Sequence, residues 1–164
     1  MYSRKAWGGP VEPAITVKFL NSTGSDRGAD PIASVIIFEW DDEELIGIPD
    51  PANPGMLMEL CQPGFDSRGW CTADQIGQFL LKPNATRHST SKIVTAAVHL
   101  DQDGPIRYPV DKTGYYCVFT DAYSTSQYEA VVEFRNAYGE LPASQIPKLP
   151  FYSGMTLLYG VVAV

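Results

Sequence analysis

Asp41, Asp42, Glu43 and Glu44 form the densest run of acids in the sequence. Grouped carboxylates serve acid/base chemistry when one of them is desolvated, or hold calcium when several converge. This run lies between two apolar, strand-like segments, where a hydrated hairpin turn is expected. Carboxylates in water keep their ordinary acidity and do neither job. Asp101-Gln102-Asp103-Gly104 begins like a calcium loop, but Pro105 interrupts it and no Glu stands at the twelfth position. His88 and His99 have no nucleophile-elbow serine near them. The cysteines, Cys61, Cys71 and Cys117, show no C-x-x-C spacing, which argues against zinc. Gly24-Ser25-Asp26-Arg27-Gly28 is followed by neither a dinucleotide fingerprint nor a P-loop. These residues predict no catalytic, cofactor-binding or metal site, and so a protein that is not an enzyme.

The covalent features are more informative. Sequons at Asn21-Ser22-Thr23 and Asn84-Ala85-Thr86 make Asn21 and Asn84 candidates for N-glycosylation, since both lie in polar, turn-like stretches. Cys61 and Cys71 flank the turn-rich loop Gln62–Trp70, which favours a Cys61–Cys71 disulfide over pairing of either with Cys117. Sequons and an internal disulfide both point to an extracytoplasmic compartment. The charge balance is 12 Lys+Arg against 19 Asp+Glu, a net charge of −7. No basic cluster is longer than Arg4-Lys5, so no nucleic-acid partner is expected.

The elements that must position these residues read as strands. With 164 residues, 45% hydrophobic, 12% aromatic, 14 Gly and 13 Pro, the chain suits a single strand-and-turn domain with a core. Segments 14–20, 34–40, 44–48, 93–100, 115–119 and 128–135 carry apolar or alternating patterns. In the last of them Tyr128, Ala130, Val132 and Phe134 form the face expected to be buried, as are Val35, Ile37, Val94, Val98, Tyr116 and Val118. Thr72 and Gln75 make a capping box ahead of one short helix over 73–81, stopped by Pro83. The fold class is all-β, an antiparallel sandwich with one short helix.

Both ends depart from this pattern. The first ten residues carry charge with no apolar run behind it, which is not the form of a signal peptide. Residues 149–164 carry no charge and grow more apolar toward Val164. They form either a last core element or the start of a transmembrane helix, and the second reading is taken here because no polar stop follows. As a helix they would span roughly 24 Å, short of the hydrocarbon core. The division is then a sandwich over 1–135, a connector over 136–148 and a truncated first membrane helix over 149–164. Pro150 suits the first turn of such a helix, where its missing N–H costs little.

Five motifs carry a family resemblance: Met1–Gly9, Val35–Trp40, Asp74–Phe79, Thr113–Val118 and Asn136–Pro142. They resemble the luminal part of the lung seven-transmembrane receptor family, in its fungal PTM-type branch, and Lys148-Leu149-Pro150-Phe151-Tyr152 resembles the entry to that family's first transmembrane helix. The resemblance covers essentially the whole chain. It implies a GOLD-like sandwich facing the lumen and seven membrane helices. It also implies residence in Golgi and endosomal membranes, with a role in trafficking or receptor-type binding of cargo or ligand. In that family, upstream chain with a further cysteine is expected. The implied partners are the membrane and a protein or lipid ligand on the luminal side. The competing reading is a secreted glycoprotein binding module whose apolar tail is a core strand.

Overall fold

The computed structural model describes residues 1–25 and 30–162. Part of the glycine-containing segment 24–28 and the last two residues of the apolar tail lie outside the described residues. The strands are β1 (Ala14–Ser25), β2 (Ile32–Glu39), β3 (Ile48–Pro49), β4 (Leu57–Met58), β5 (Val94–His99), β6 (Ile106–Pro109), β7 (Tyr116–Ala122) and β8 (Thr125–Arg135). The helices are α1 (Arg4–Trp7), α2 (Ala85–His88) and α3 (Leu149–Val162). Among the described residues the sheets run β6-β1-β8, β5-β2-β7 and β3-β4. β2 pairs antiparallel with both β5 and β7, and β3 pairs antiparallel with β4.

The chain divides into two compact units, the larger made of Thr16–Tyr108 and Gly114–Val132. Here β2 is buried along almost its whole length, on both faces, as its continuous apolar run requires of a central strand. On its inner face Val35 and Ile37 are buried, as are Val17 of β1 and Tyr108 of β6. The Tyr108 hydroxyl donates to the Lys92 carbonyl at 2.6 Å, and its ring lies 5.6 Å from that of Tyr116. These contacts join the β6-β1-β8 sheet to the β5-β2-β7 sheet, the arrangement of a β-sandwich.

The smaller unit comprises Met1–Ile15, Pro109–Thr113 and Glu133–Val164. Asn136 ties it together. Its side-chain oxygen accepts from the Tyr2 N–H at 3.1 Å, and its amide donates to the Leu141 carbonyl at 3.0 Å. Gly8 ends α1 in the left-handed region, and a Cβ on Gly9 would run into the Ala137 carbonyl. In segment 136–148, Asn136, Ala137 and Ile146 are buried, and residues 143–148 form a 3₁₀ helix. α3 follows with no buried residue, so the apolar tail is a helix and not a core strand.

Four expectations are corrected. The capping box of Thr72 and Gln75 forms, but it starts only a 3₁₀ turn over Ala73–Gln75. Gly77 takes φ +84°, and residues 77–82 then run extended, pairing with 45–47 and 59–61. The expected hairpin turn at Asp41–Glu43 is instead a 3₁₀ helix over Trp40–Leu45. On β8, Val132 and Phe134 are 37% and 41% exposed because the inward phase shifts after Ala130, leaving Glu133 half-buried instead. Val94, Tyr116 and Val118 are only half-buried.

Candidate functional site

The outer face of the β5-β2-β7 sheet carries the site. Register pairs Ile36 with Thr95 and Phe119, and Phe38 with Cys117, so all five share that face. The face is only half covered. Over β5 and β2 lies segment 77–82. Phe79 N–H donates to Thr95 Oγ1 at 2.8 Å, and Thr95 Oγ1 donates back to the Phe79 carbonyl at 3.3 Å. The buried Ser34 hydroxyl donates to the Gly77 carbonyl at 2.6 Å. Gly77 has to be glycine, because of its positive φ and because a Cβ there would crowd Ala97 at 3.2 Å.

Over β7 the face stays open, and a groove of about 720 Å³ remains. Ile36, Phe38 and Phe79 form its floor as a buried cluster. Phe119 forms one bank, 52% exposed and stacked on Phe38 with ring centroids 5.7 Å apart. The other bank is residues 57–60 with Gln62 and Phe65. Phe65 is held from behind. Cys61 and Cys71 are disulfide-bonded, and within the loop they close Phe65 packs edge-on against Trp70 at 5.0 Å. Arg68 lies 5.0 Å over the Trp70 ring.

The acidic run divides between two roles. Asp42 is 1% exposed. Its carboxylate accepts the Thr90 N–H at 2.6 Å and the Ser91 N–H at 3.1 Å. Glu39, also buried, accepts from the Thr90 hydroxyl at 2.8 Å. These acids fix the chain ahead of β5, and the expectation of a wholly hydrated run is corrected for Asp42. Asp41, Glu43 and Glu44 are exposed, and Glu43 lines the groove. The Cys117 thiol is free, and burial, with the charges of Glu43 and Glu39, pushes its pKa up.

Asn21 and Asn84 are both exposed and are not among the residues that line the groove. Asn21 Nδ2 donates to Glu129 at 3.0 Å, whereas Asn84 stands in the left-handed region just ahead of α2. Pro150, Phe151 and Tyr152 are exposed in the first turn of α3. Among the described residues no group of three or more His, Cys, Asp or Glu side chains is gathered to hold a metal ion. Likewise no helix among them is long and apolar enough to cross a membrane.

The family described as PTM1-like, N-terminal domain, matches residues 1–136. Membrane protein PTM1 of Saccharomyces cerevisiae is 30% identical over 169 residues, covering 98% of this chain and 32% of its own length. An uncharacterized membrane protein of Schizosaccharomyces pombe is 29% identical over 163 residues, covering 99% of this chain and 34% of its own. The chain thus spans about a third of the length of these relatives. No solved structure matches it.

Proposed function

Since the chain belongs to the PTM1-like N-terminal domain family, we propose that it is the luminal, ligand- or cargo-binding domain of a multi-pass membrane protein of the Golgi and endosomal system. The named relatives are membrane proteins roughly three times its length, which leaves room for membrane segments beyond this domain. The Cys61–Cys71 bridge suits an oxidising compartment, and the exposed Asn21 and Asn84 suit one where glycans are added. In this reading the sandwich is GOLD-like, and the exposed apolar α3 is the beginning of the first membrane helix, entered at Pro150, Phe151 and Tyr152.

The groove carries the binding part of the proposal. An apolar floor left open between two banks is what a ligand site needs, and the domain performs no chemistry of its own in this account. Two measurements test it, one on the parent reading frame expressed in yeast and one on the isolated chain. Endoglycosidase treatment should shift the protein, and the Asn21→Gln/Asn84→Gln variant should no longer shift. Nile red should bind the isolated chain, and Phe119→Asp should weaken the groove's share of that binding about tenfold. Protease cleavage of the domain from the cytosolic side of sealed vesicles would overturn the orientation. Dye binding unchanged by Phe119→Asp would overturn the groove.

A further inference from the structure

The groove's walls also say what it takes, an inference that rests on the groove being a ligand site. β7 has β2 on one side and, among the described residues, no strand on the other. The main-chain groups of Val118, Thr120 and Ala122, which point away from β2 in this register, are therefore a template for one more strand. Phe119, Thr120 and Asp121 of this edge line the groove, and the Thr120 hydroxyl is turned away to accept from Tyr128 at 2.7 Å.

The charge at this site has one sign. Glu43, Glu59 and Asp121 are its charged lining residues, all exposed, and no Lys, Arg or His stands among them. Of these, the Glu43 charge also acts on the Cys117 thiol. A second copy of this chain is a poor occupant. β7 carries Asp121 and no basic residue, so edge-to-edge pairing would bring acidic strands together. A lipid with an anionic headgroup meets the same repulsion. We propose that the groove binds an extended protein segment bearing both apolar and Lys or Arg side chains, added as a strand along the edge of β7. Its apolar side chains would pack on Phe38, Phe79 and Phe119, and its cations would meet Glu43, Glu59 and Asp121.

The test uses the whole 164-residue chain and three probes. They are Nile red, a short peptide of phenylalanine, valine and leucine flanked by lysines, and the same peptide flanked by glutamates. The lysine peptide should bind about tenfold more tightly than the glutamate peptide, a preference that fades with added salt. It should slow amide exchange at Val118, Thr120 and Ala122, whose N–H groups point away from β2 in this register. The exposed-site variant Glu43→Gln/Glu59→Gln/Asp121→Asn, checked for an unchanged melting curve, should erase the preference. If Nile red shifts groove resonances while the two peptides bind equally or not at all, the occupant is wrong and the ligand groove stands. If neither dye nor peptide touches the groove, both readings fall. Concentration-dependent protection of β7 without any peptide would make the occupant a second copy and overturn the proposal.

Discussion

The two halves of one sheet face make opposite use of the same central strand. On the β5 side, the outer face of β2 is closed by segment 77–82 through Thr95, Ser34 and Phe79. On the β7 side it ends in Phe119, half exposed over a groove. Closure is achieved by main-chain groups bonding to small hydroxyl side chains, which fixes a backbone segment against a sheet. The open side keeps large apolar side chains with nothing laid over them among the described residues. Folded chains seldom leave contiguous apolar surface uncovered without a use for it.

The sharpest way to break this comparison is at Phe38 and Phe119, which stack on each other. Phe38→Ala empties a fully buried position and should cost about 3–5 kcal/mol in urea unfolding. Phe119→Ala should cost less than about 1 kcal/mol, because half of its surface already meets water. Equal losses would mean that the β7 side is core and not groove.

Ahead of β5, Asp42→Ala removes the buried carboxylate that accepts the Thr90 and Ser91 N–H groups and should cost about 1–3 kcal/mol. The same unfolding series reads it, and a loss below about 1 kcal/mol would show that Asp42 does not hold the chain ahead of β5.

The Cys61→Ser/Cys71→Ser variant frees the bank that holds Phe65. Its expected cost is about 2–3 kcal/mol from loop entropy. Nile red affinity should drop with it. Stability lost with dye affinity intact would show that the loop does not shape the groove.

Smallest is the effect of Glu43→Gln. Burial and the two carboxylates favour the neutral thiol of Cys117 in the folded state. That stabilising contribution is complete below the unfolded thiol's pKa and is lost as pH rises through the folded one. Removing the Glu43 charge brings the folded pKa down, so alkylation of Cys117 at mildly alkaline pH should quicken and the loss of stability at high pH should lessen. An unchanged labelling rate would argue that the groove's acids exert no field on its floor.

What the sequence disclosed follows the range of the interactions involved. β2 and β5 announce themselves as apolar runs, and β1, β7 and β8 by pattern, because strand burial repeats locally. The four-residue β6, between turns, offers too short a pattern to read. The capping box at Thr72 was legible and formed, but Gly77 and the pull of segments 45–47 and 59–61 overrode helix propagation. Asp42 left no local signal. Its partners, Thr90 and Ser91, are some fifty residues away in the chain. The groove gathers residues from 36–46, 57–65, 79 and 119–121, so no single stretch of sequence contains it.

The claim that this half-open face is the binding site is tested most directly by mapping backbone amide shifts of the chain during a Nile red titration. The account predicts saturable shifts at Leu57–Leu60, Phe65 and Phe119–Asp121, with Val94–His99 on the closed side unmoved. Shifts confined to α3, or spread equally over β5 and β7, would contradict it.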